Sequence, residues 1–353
     1  MIELKLRKGA PSVTLTRDEF RERFRSQFVD PAYAQVTTEL DAIEAVAWDA
    51  YAAGRKAPRT RKAGEGFADP DYELSLDWLA ARDAIHDAQR LHDLPGTSRI
   101  LVINGSARSE HTCPGELSKT HRLAMEACTT LRELGCEVDY LDLSNLASEY
   151  GRVIYPCKAC VSTAMPLCHW PCSCYPNHGL GQTQDWMNEL YPRFVAAHGL
   201  AIVTPVYWYQ APSVLKLLID RLVCADGGNP DPTSTQGKDP GRAKALELAG
   251  WGYPRHLEGR VFSVITHGDA SGIEALRRNL HDTLVDMKLE PATDLDRFIG
   301  YLEPYATSHE ALDQDDDLVK EVTNVMRTLA ERVEQLRSGV ARVGEALVEP
   351  RPK

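Results

Sequence analysis

The 353-residue sequence lacks long hydrophobic runs. Its apolar stretches are short, such as Leu200 to Val206. A membrane helix needs ~20 such residues, so no spanning segment is expected. The opening Met-Ile-Glu-Leu-Lys has no apolar signal core, and the expected compartment is the cytoplasm. Positive charge is in deficit, with 40 Lys and Arg against 51 Asp and Glu and a formal charge of −11. That balance disfavours nucleic acid and anionic membranes as partners. Neither Gly-x-Gly-x-x-Gly nor Gly-Lys-Ser/Thr occurs, which excludes the dinucleotide fingerprint and the Walker loop. No acidic dyad, Ser-His-Asp set or carboxylate–His metal motif stands out. No side chain is therefore nominated as catalytic, which fits chemistry led by a cofactor.

What is present begins with a helical N-terminal region over residues 1–95. Thr16 and Glu19 form a capping box ahead of Phe20, Phe24 and Phe28, which share a helix face by their spacing of four. A second helix is expected from Thr38 to Tyr51 and a third from about Ser75 to Leu91. Between them, Arg55 to Lys62 carries five basic residues in eight. Such a short run reads first as a solvated loop and second as a contact for a phosphate group or partner subunit.

After Pro95-Gly96 the pattern changes. Short apolar strands at Arg99–Asn104, Cys136–Leu143, Leu200–Val206 and Val261–Thr266 alternate with helices at Leu117–Leu134, Pro212–Cys224 and Ile273–Met287. A weaker fifth strand falls near Arg297–Tyr301. This alternation implies an α/β fold with a parallel sheet covered on both faces. From Asp315 onward Leu318, Val322, Val325, Leu329, Val333, Leu336 and Val340 recur at helical spacing. This long C-terminal helix should pack on its own domain or, less simply, on another copy. The expected domains are thus 1–95, an α/β domain over 96–312 with a Cys-rich insert at 151–185, and 313–353.

Three strand-end segments carry the chemistry. The first strand runs into Asn104-Gly105-Ser106-Ala107-Arg108, and Ser118-Lys119-Thr120 opens the next helix. Glycine lets backbone approach a ligand, and hydroxyls with amides at a helix start suit a phosphate. Ser106, Arg108, Ser118 and Thr120 are the candidates. An ordinary capped turn is the plainer alternative. The third strand ends in Pro205-Val206-Tyr207-Trp208-Tyr209, whose aromatics suit a planar heterocycle at the carboxyl end of a sheet. A core aromatic cluster is the competing reading. The fourth ends in Thr266-His267-Gly268-Asp269, a polar loop suited to a ring edge.

These three segments, with Leu215-Lys216 and Ile219-Asp220-Arg221 after the middle one, resemble the NADPH-dependent FMN reductase family of flavodoxin-like proteins. The likeness covers about residues 98–300. It implies a flavodoxin-like, doubly wound, five-stranded parallel sheet in the order 2-1-3-4-5. It also implies FMN with its phosphate on the first loop and its ring against the middle one. NAD(P)H would be the co-substrate, and a quinone, flavin or nitro compound the small acceptor. A homodimer or homotetramer is expected, with the N-terminal region wrapping a neighbour. Residues Glu110 to Leu117 are an insertion relative to the family.

Five of nine cysteines fall in Cys157-x2-Cys160-x7-Cys168-x3-Cys172-x-Cys174; the others are Cys113, Cys128, Cys136 and Cys224. Without a secretory signal this density reads as metal or redox chemistry. Such thiolates suit a [4Fe-4S] iron-sulfur cluster or structural Zn, and free redox-active thiols are the third possibility. His169 and His178 lie nearby and would favour zinc. The region resembles iron-sulfur flavoproteins, in which a compact cysteine motif precedes a helix start, here Gln184-Asp185-Trp186-Met187. Thr163 replaces the third cysteine of that motif. Two alternatives to the reductase follow: an iron-sulfur flavoprotein that carries electrons between proteins, and a zinc-stabilised binding protein without enzymatic activity.

Overall fold

A computed structural model describes residues 14–55, 57–109, 117–176, 181, 184–268, 271–298 and 312–339. Its helices are α1 (Arg17–Arg25), α2 (Thr37–Ala52), α3 (Leu76–Asp93), α4 (Lys119–Glu133), α5 (Asn145–Ser148), α6 (Met187–Ala196), α7 (Ser213–Leu222), α8 (Pro240–Leu248), α9 (Ile273–Asp286) and α10 (Asp316–Arg337). Its strands are β1 (Thr60–Lys62), β2 (Glu73–Ser75), β3 (Arg99–Asn104), β4 (Glu137–Asp142), β5 (Gly199–Pro205), β6 (Val261–Gly268), β7 (Glu290–Pro291) and β8 (Leu295–Phe298). Contacts divide the chain into two compact units built from interleaved segments. One comprises residues 1–91, 146–195 and 216–256, the other 92–145, 196–215 and 257–353.

The second unit holds the parallel sheet, ordered β4-β3-β5-β6-β7 with β8 also paired to β6. Register runs Ile100 to Val138, Ile100 to Gly199 and Gly199 to Val261. The order follows the flavodoxin pattern, an α/β fold with a parallel sheet. The fifth strand differs from expectation. It starts earlier and is split into β7 and β8, which meet opposite ends of β6. Pro291 lacks an N–H and can carry no ladder donor, which suits the short first piece.

Alternation assigns the two faces. Val261 and Ile265 join Ile100, Val102, Ala201 and Val203 against α4 and α10. Phe262 points the other way and meets His281 of α9 edge-on at 5.4 Å. The stripe Leu318, Val322, Val325, Leu329 and Val333 is buried in this core. The long C-terminal helix therefore packs on the sheet of its own unit. Asp315 caps it by accepting from the Leu318 N–H at 2.9 Å, and Asp316 and Asp317 suit its N-terminal dipole.

The first unit begins with the expected capping box at Thr16 and Glu19. Phe20 and Phe24 stack at 6.1 Å, and Phe28 meets Phe24 at 5.4 Å although it lies beyond the end of α1. Glu44 of α2 is buried among Arg17, Arg21 and Arg25. Burial pushes its carboxyl up, but the arginines outweigh that and hold it below the usual range. The end of the basic run is a strand: Thr60–Lys62 pairs antiparallel with Glu73–Ser75, and Lys62 bonds Asp71 at 2.7 Å. Trp78 packs with Leu74, Leu79 and Phe67, and its Nε1 donates to the Pro171 carbonyl at 2.8 Å. Residues 63–93 are thus tied into their own chain, alongside the Cys-rich segment. The three successive domains expected from the sequence differ from this division, because these long-range bonds and the C-terminal helix cross the expected boundaries.

Candidate flavin site and cysteine-rich segment

The candidate cofactor residues of the second unit meet at the carboxyl end of the sheet. Gly105 leaves β3 with its N–H donating to the Val203 carbonyl at 2.7 Å. A Cβ there would lie 2.9 Å from Thr204 Cβ, so the close approach requires glycine. Asn104 Nδ2 donates to Asp142 at 2.9 Å, and Asn104 Oδ1 accepts from the Ser106 N–H at 3.1 Å. Ser106 Oγ in turn accepts from the Arg108 N–H at 3.0 Å and lies 3.3 Å from the Tyr207 hydroxyl. The first and third loops are therefore joined through side chains.

Ser118 caps α4, accepting from the His121 N–H at 3.4 Å. Thr120, in the first turn, sits 2.9 Å from His267 Nε2 and joins α4 to the fourth loop. Both groups are buried. Burial, reinforced by the charge of Lys119, pushes the His267 imidazole down to about 3. His267 is thus a neutral hydrogen-bonding partner. Thr266 is also buried and directs its hydroxyl to the Ile273 carbonyl at 3.4 Å, toward the protein. Pro205 closes β5 and is buried, and the Val206 N–H donates to the His267 carbonyl at 2.9 Å. A Cβ on Gly268 would lie 2.5 Å from Val206 Cγ1. The third and fourth loops are packed as tightly as glycine allows. Asp269 lies outside the described residues.

Tyr207 and Gln210 exchange two backbone hydrogen bonds of 2.9 Å around Trp208 and Tyr209. Both central residues have positive φ, 48° and 67°. Such backbone normally selects Gly or Asn, and bulky residues held there cost of order 1 kcal/mol or more each. The turn presents Trp208 at 92% exposure and Tyr209 at 63%. A core aromatic cluster is therefore not what this motif forms. The rings stand in solvent beside the joined loops.

The Cys-rich segment belongs to the first unit. Cys160 Sγ donates to the Leu167 carbonyl at 3.3 Å. The neighbouring Cys168 and Cys174 thiols push the Cys160 thiol up, and Cys174 does the same to Cys172. The bond from Cys160 holds the Cys168 thiol below its usual range, while burial pushes Cys157 up. Lys238 reaches into this group, donating to the Leu167 carbonyl at 2.5 Å with its Nζ 3.8 Å from Cys160 Sγ. Among the described residues, no three His, Cys, Asp or Glu side chains are arranged as a ready metal site. His169, which the sequence allowed as a zinc ligand, is held within the protein. Its Nδ1 meets Ser173 Oγ and its Nε2 lies 2.9 Å from Thr235 Oγ1, so both ring nitrogens are engaged. His178 lies outside the described residues.

An ion pair that sequence reasoning missed anchors the segment. Arg221 and Asp185 are paired with side chains 1% and 0% exposed. Arg221 also donates to the Tyr155 carbonyl at 3.0 Å and lies 4.9 Å from the Tyr175 ring centroid. Tyr191 donates its hydroxyl to the Arg221 carbonyl at 3.1 Å. Asp185 was visible only as part of a helix start and Arg221 only as part of the middle motif. Their pairing leaves no periodic trace in the sequence.

Comparison with known proteins bears on both regions. Residues 98–289 match the family model of NADPH-dependent FMN reductases. An iron-sulfur flavoprotein of Methanosarcina thermophila is 30% identical over 125 residues, 35% of this chain and 52% of that protein. The chain therefore spans about half the length of this curated relative. Among solved structures, a flavone reductase aligns at 16% identity over 67% of this chain and 64% of its own, with a TM-score of 0.42. RosB with a bound 8-demethyl-8-formylriboflavin-5'-phosphate intermediate aligns at 12% identity over 69% and 82%, with a TM-score of 0.45. No helix among the described residues is long and apolar enough to cross a membrane. With more than half of its length matched by the family model, the chain belongs to the NADPH-dependent FMN reductase family, a family of flavin oxidoreductases.

Proposed function

We propose that the chain binds FMN at the joined strand-end loops and acts as an NAD(P)H-dependent oxidoreductase toward a small acceptor such as a quinone, a flavin or a nitro compound. The observation that carries this reading is the convergence of Ser106 with Tyr207 and of Thr120 with His267, below a turn that holds Trp208 in solvent. The residues present fit the cofactor. The N-terminus of α4 beside the Gly105 turn offers a favourable dipole for a phosphate, with Arg108 adding charge. Trp208 and Tyr209 offer flat apolar surface for a tricyclic ring. Neutral His267 fixes the Thr120 hydroxyl without placing a second charge beside the phosphate. When bound, FMN would supply hydride acceptance and release, while the protein positions the ring and limits access to it.

The thiols linked around Cys160, Cys168, Cys172 and Cys174 favour a second reading, in which the same protein also holds an iron-sulfur cluster and passes single electrons to a protein partner. The donor set is chemically suitable, and Cys157 supplies a fifth thiol. Zinc on cysteines alone is the remaining variant, because His169 is engaged elsewhere. Association into a homodimer or homotetramer is part of the proposal, as is a cytoplasmic location.

Anaerobic purification followed by absorption spectroscopy, iron and zinc analysis and NAD(P)H oxidation assays tests these readings together. Flavin bands with rapid NAD(P)H oxidation are expected. Iron with labile sulfide in the same sample would add the cluster, and zinc would replace it. Protein that takes up no FMN would overturn the reading.

A further inference from the structure

The first unit contains a pocket of about 310 Å³ built from α3, the loop before β2, and the chain around Trp170 and His256. None of its lining residues belongs to the strand-end loops or to the cysteines. Its size falls at the lower end of the range for small-molecule sites, roughly 300–1,000 Å³.

Its walls are flat. The Trp170 indole and the His256 imidazole stack at 5.0 Å with 13° between planes. The Phe67 ring lines the same cavity, and Arg82 places its guanidinium 5.0 Å from the Phe67 centroid and 6.0 Å from that of Trp78. Parallel and tilted π surfaces around a small volume select a planar ring over a branched aliphatic chain.

The charges select the ring's substituent. Asp231 is the acidic residue among those lining the pocket. Its Oδ1 accepts from the Thr233 N–H at 2.8 Å and from the Thr233 hydroxyl at 2.6 Å, and its Oδ2 accepts from the Ala68 N–H at 2.7 Å. Three donors thus occupy that carboxylate. Arg82 donates from Nε at 3.4 Å and from Nη2 at 3.2 Å to one oxygen of Asp83, a carboxylate 58% exposed and so a weak competitor. Exposed pairs of this kind contribute little, and a guanidinium fork matches an incoming carboxylate in two places.

We infer that this pocket is a binding site for a small aromatic carboxylate, its ring against Trp170 and Phe67 and its carboxylate on Arg82. The inference stands apart from the flavin reading and holds whether or not FMN is bound.

Isothermal titration of the full chain with sodium 2-naphthoate, and with neutral 2-naphthamide of the same shape, tests it. One saturable site for the carboxylate is expected, with the amide bound at least tenfold more weakly. Arg82→Met should bring the carboxylate down to the level of the amide. Gln89→Trp, on the pocket face of α3, should abolish binding of both. Should Arg82→Met fail to fold, Arg82→Lys keeps the charge, loses the fork, and should weaken the carboxylate severalfold. No saturable heat with either probe, equal affinity for the two, or unchanged carboxylate binding in a folded Arg82 variant would overturn the assignment.

Discussion

The strand-end loops and the Cys-rich segment are both irregular and both rich in polar groups, yet different forces hold them. In the loops the cross-links join neutral groups: hydroxyl to hydroxyl at Ser106 and Tyr207, hydroxyl to imidazole at Thr120 and His267, amide to carbonyl at Val206 and His267. In the Cys-rich segment the ties are charged: Arg221 on Asp185, and Lys238 on the Leu167 carbonyl beside Cys160. A neutral frame leaves the local field to an incoming anion such as a phosphate. A buried ion pair instead makes each partner depend on the other, since a lone charge in the interior is far costlier than the pair.

The sharpest way to break this contrast is Arg221→Met. Asp185 is then left buried and uncompensated, and a loss of about 3–5 kcal/mol is expected in urea unfolding. Adding Asp185→Asn should recover a large part of it. A loss below about 1 kcal/mol would mean that the charged tie is not structural. In the neutral region the corresponding probe is Gly268→Ala, whose Cβ would meet Val206 Cγ1 at 2.5 Å. A cost of ~1–3 kcal/mol is expected from overpacking, relieved by Val206→Ala. No cost would show that the loops have room to part.

The pH dependence separates the regions further. The His267 pKa falls from 6.5 to about 3 on folding, so the unfolded chain takes up a proton that the folded chain refuses. Its contribution to stability is complete above about 6.5 and is lost progressively as pH falls toward 3. The expected loss is about 1 kcal/mol for the first unit of pH below 6.5, and the slope then approaches ~1.4 kcal/mol per unit. His267→Asn should flatten this limb in urea titrations at stepped pH. His198, lowered to about 4 by burial, acts in the same window and leaves a residual slope. An unaltered slope in His267→Asn would place the proton uptake elsewhere. The smallest structural effect belongs to Trp208→Ala. Stability should stay within ~0.5 kcal/mol, as the ring is in solvent. FMN affinity should drop severalfold in a fluorescence titration, and equal affinity would remove the indole from the proposed ring contact.

Much of the second unit was legible because its signals are local. Runs such as Ile100–Ile103 and Leu200–Val203 are short, apolar and bounded by turn residues, and the stripe from Leu318 to Val333 has helical period. Thr16 and Glu19 are read correctly because a capping box lies within four residues. The strand-end motifs were visible as composition, and the resemblance to a known family sorted them. What was not legible is long-range. Nothing near Arg221 announces Asp185, and nothing near Lys238 announces Cys160. The Thr120–His267 bond joins residues 147 positions apart. The split of the last strand was missed because β7 has two residues, too few to show alternation. Helix α8 has little amphipathic pattern, and only Ala243 is buried in it.

The position of α10 in the sheet's core has a consequence for synthesis. A Cβ on Gly199 of β5 would lie 2.9 Å from both Ile100 of β3 and Val333 of α10, so these three elements meet at one point. Val333 of α10 is made 233 residues after Ile100 of β3. At ~5–20 residues per second the interval is roughly 10–50 s. Throughout it, the apolar face of the nascent sheet has α4 but not α10 as its cover. A nascent chain halted before Asp316 should therefore engage chaperones that bind exposed hydrophobic surface, and release from them should coincide with emergence of α10.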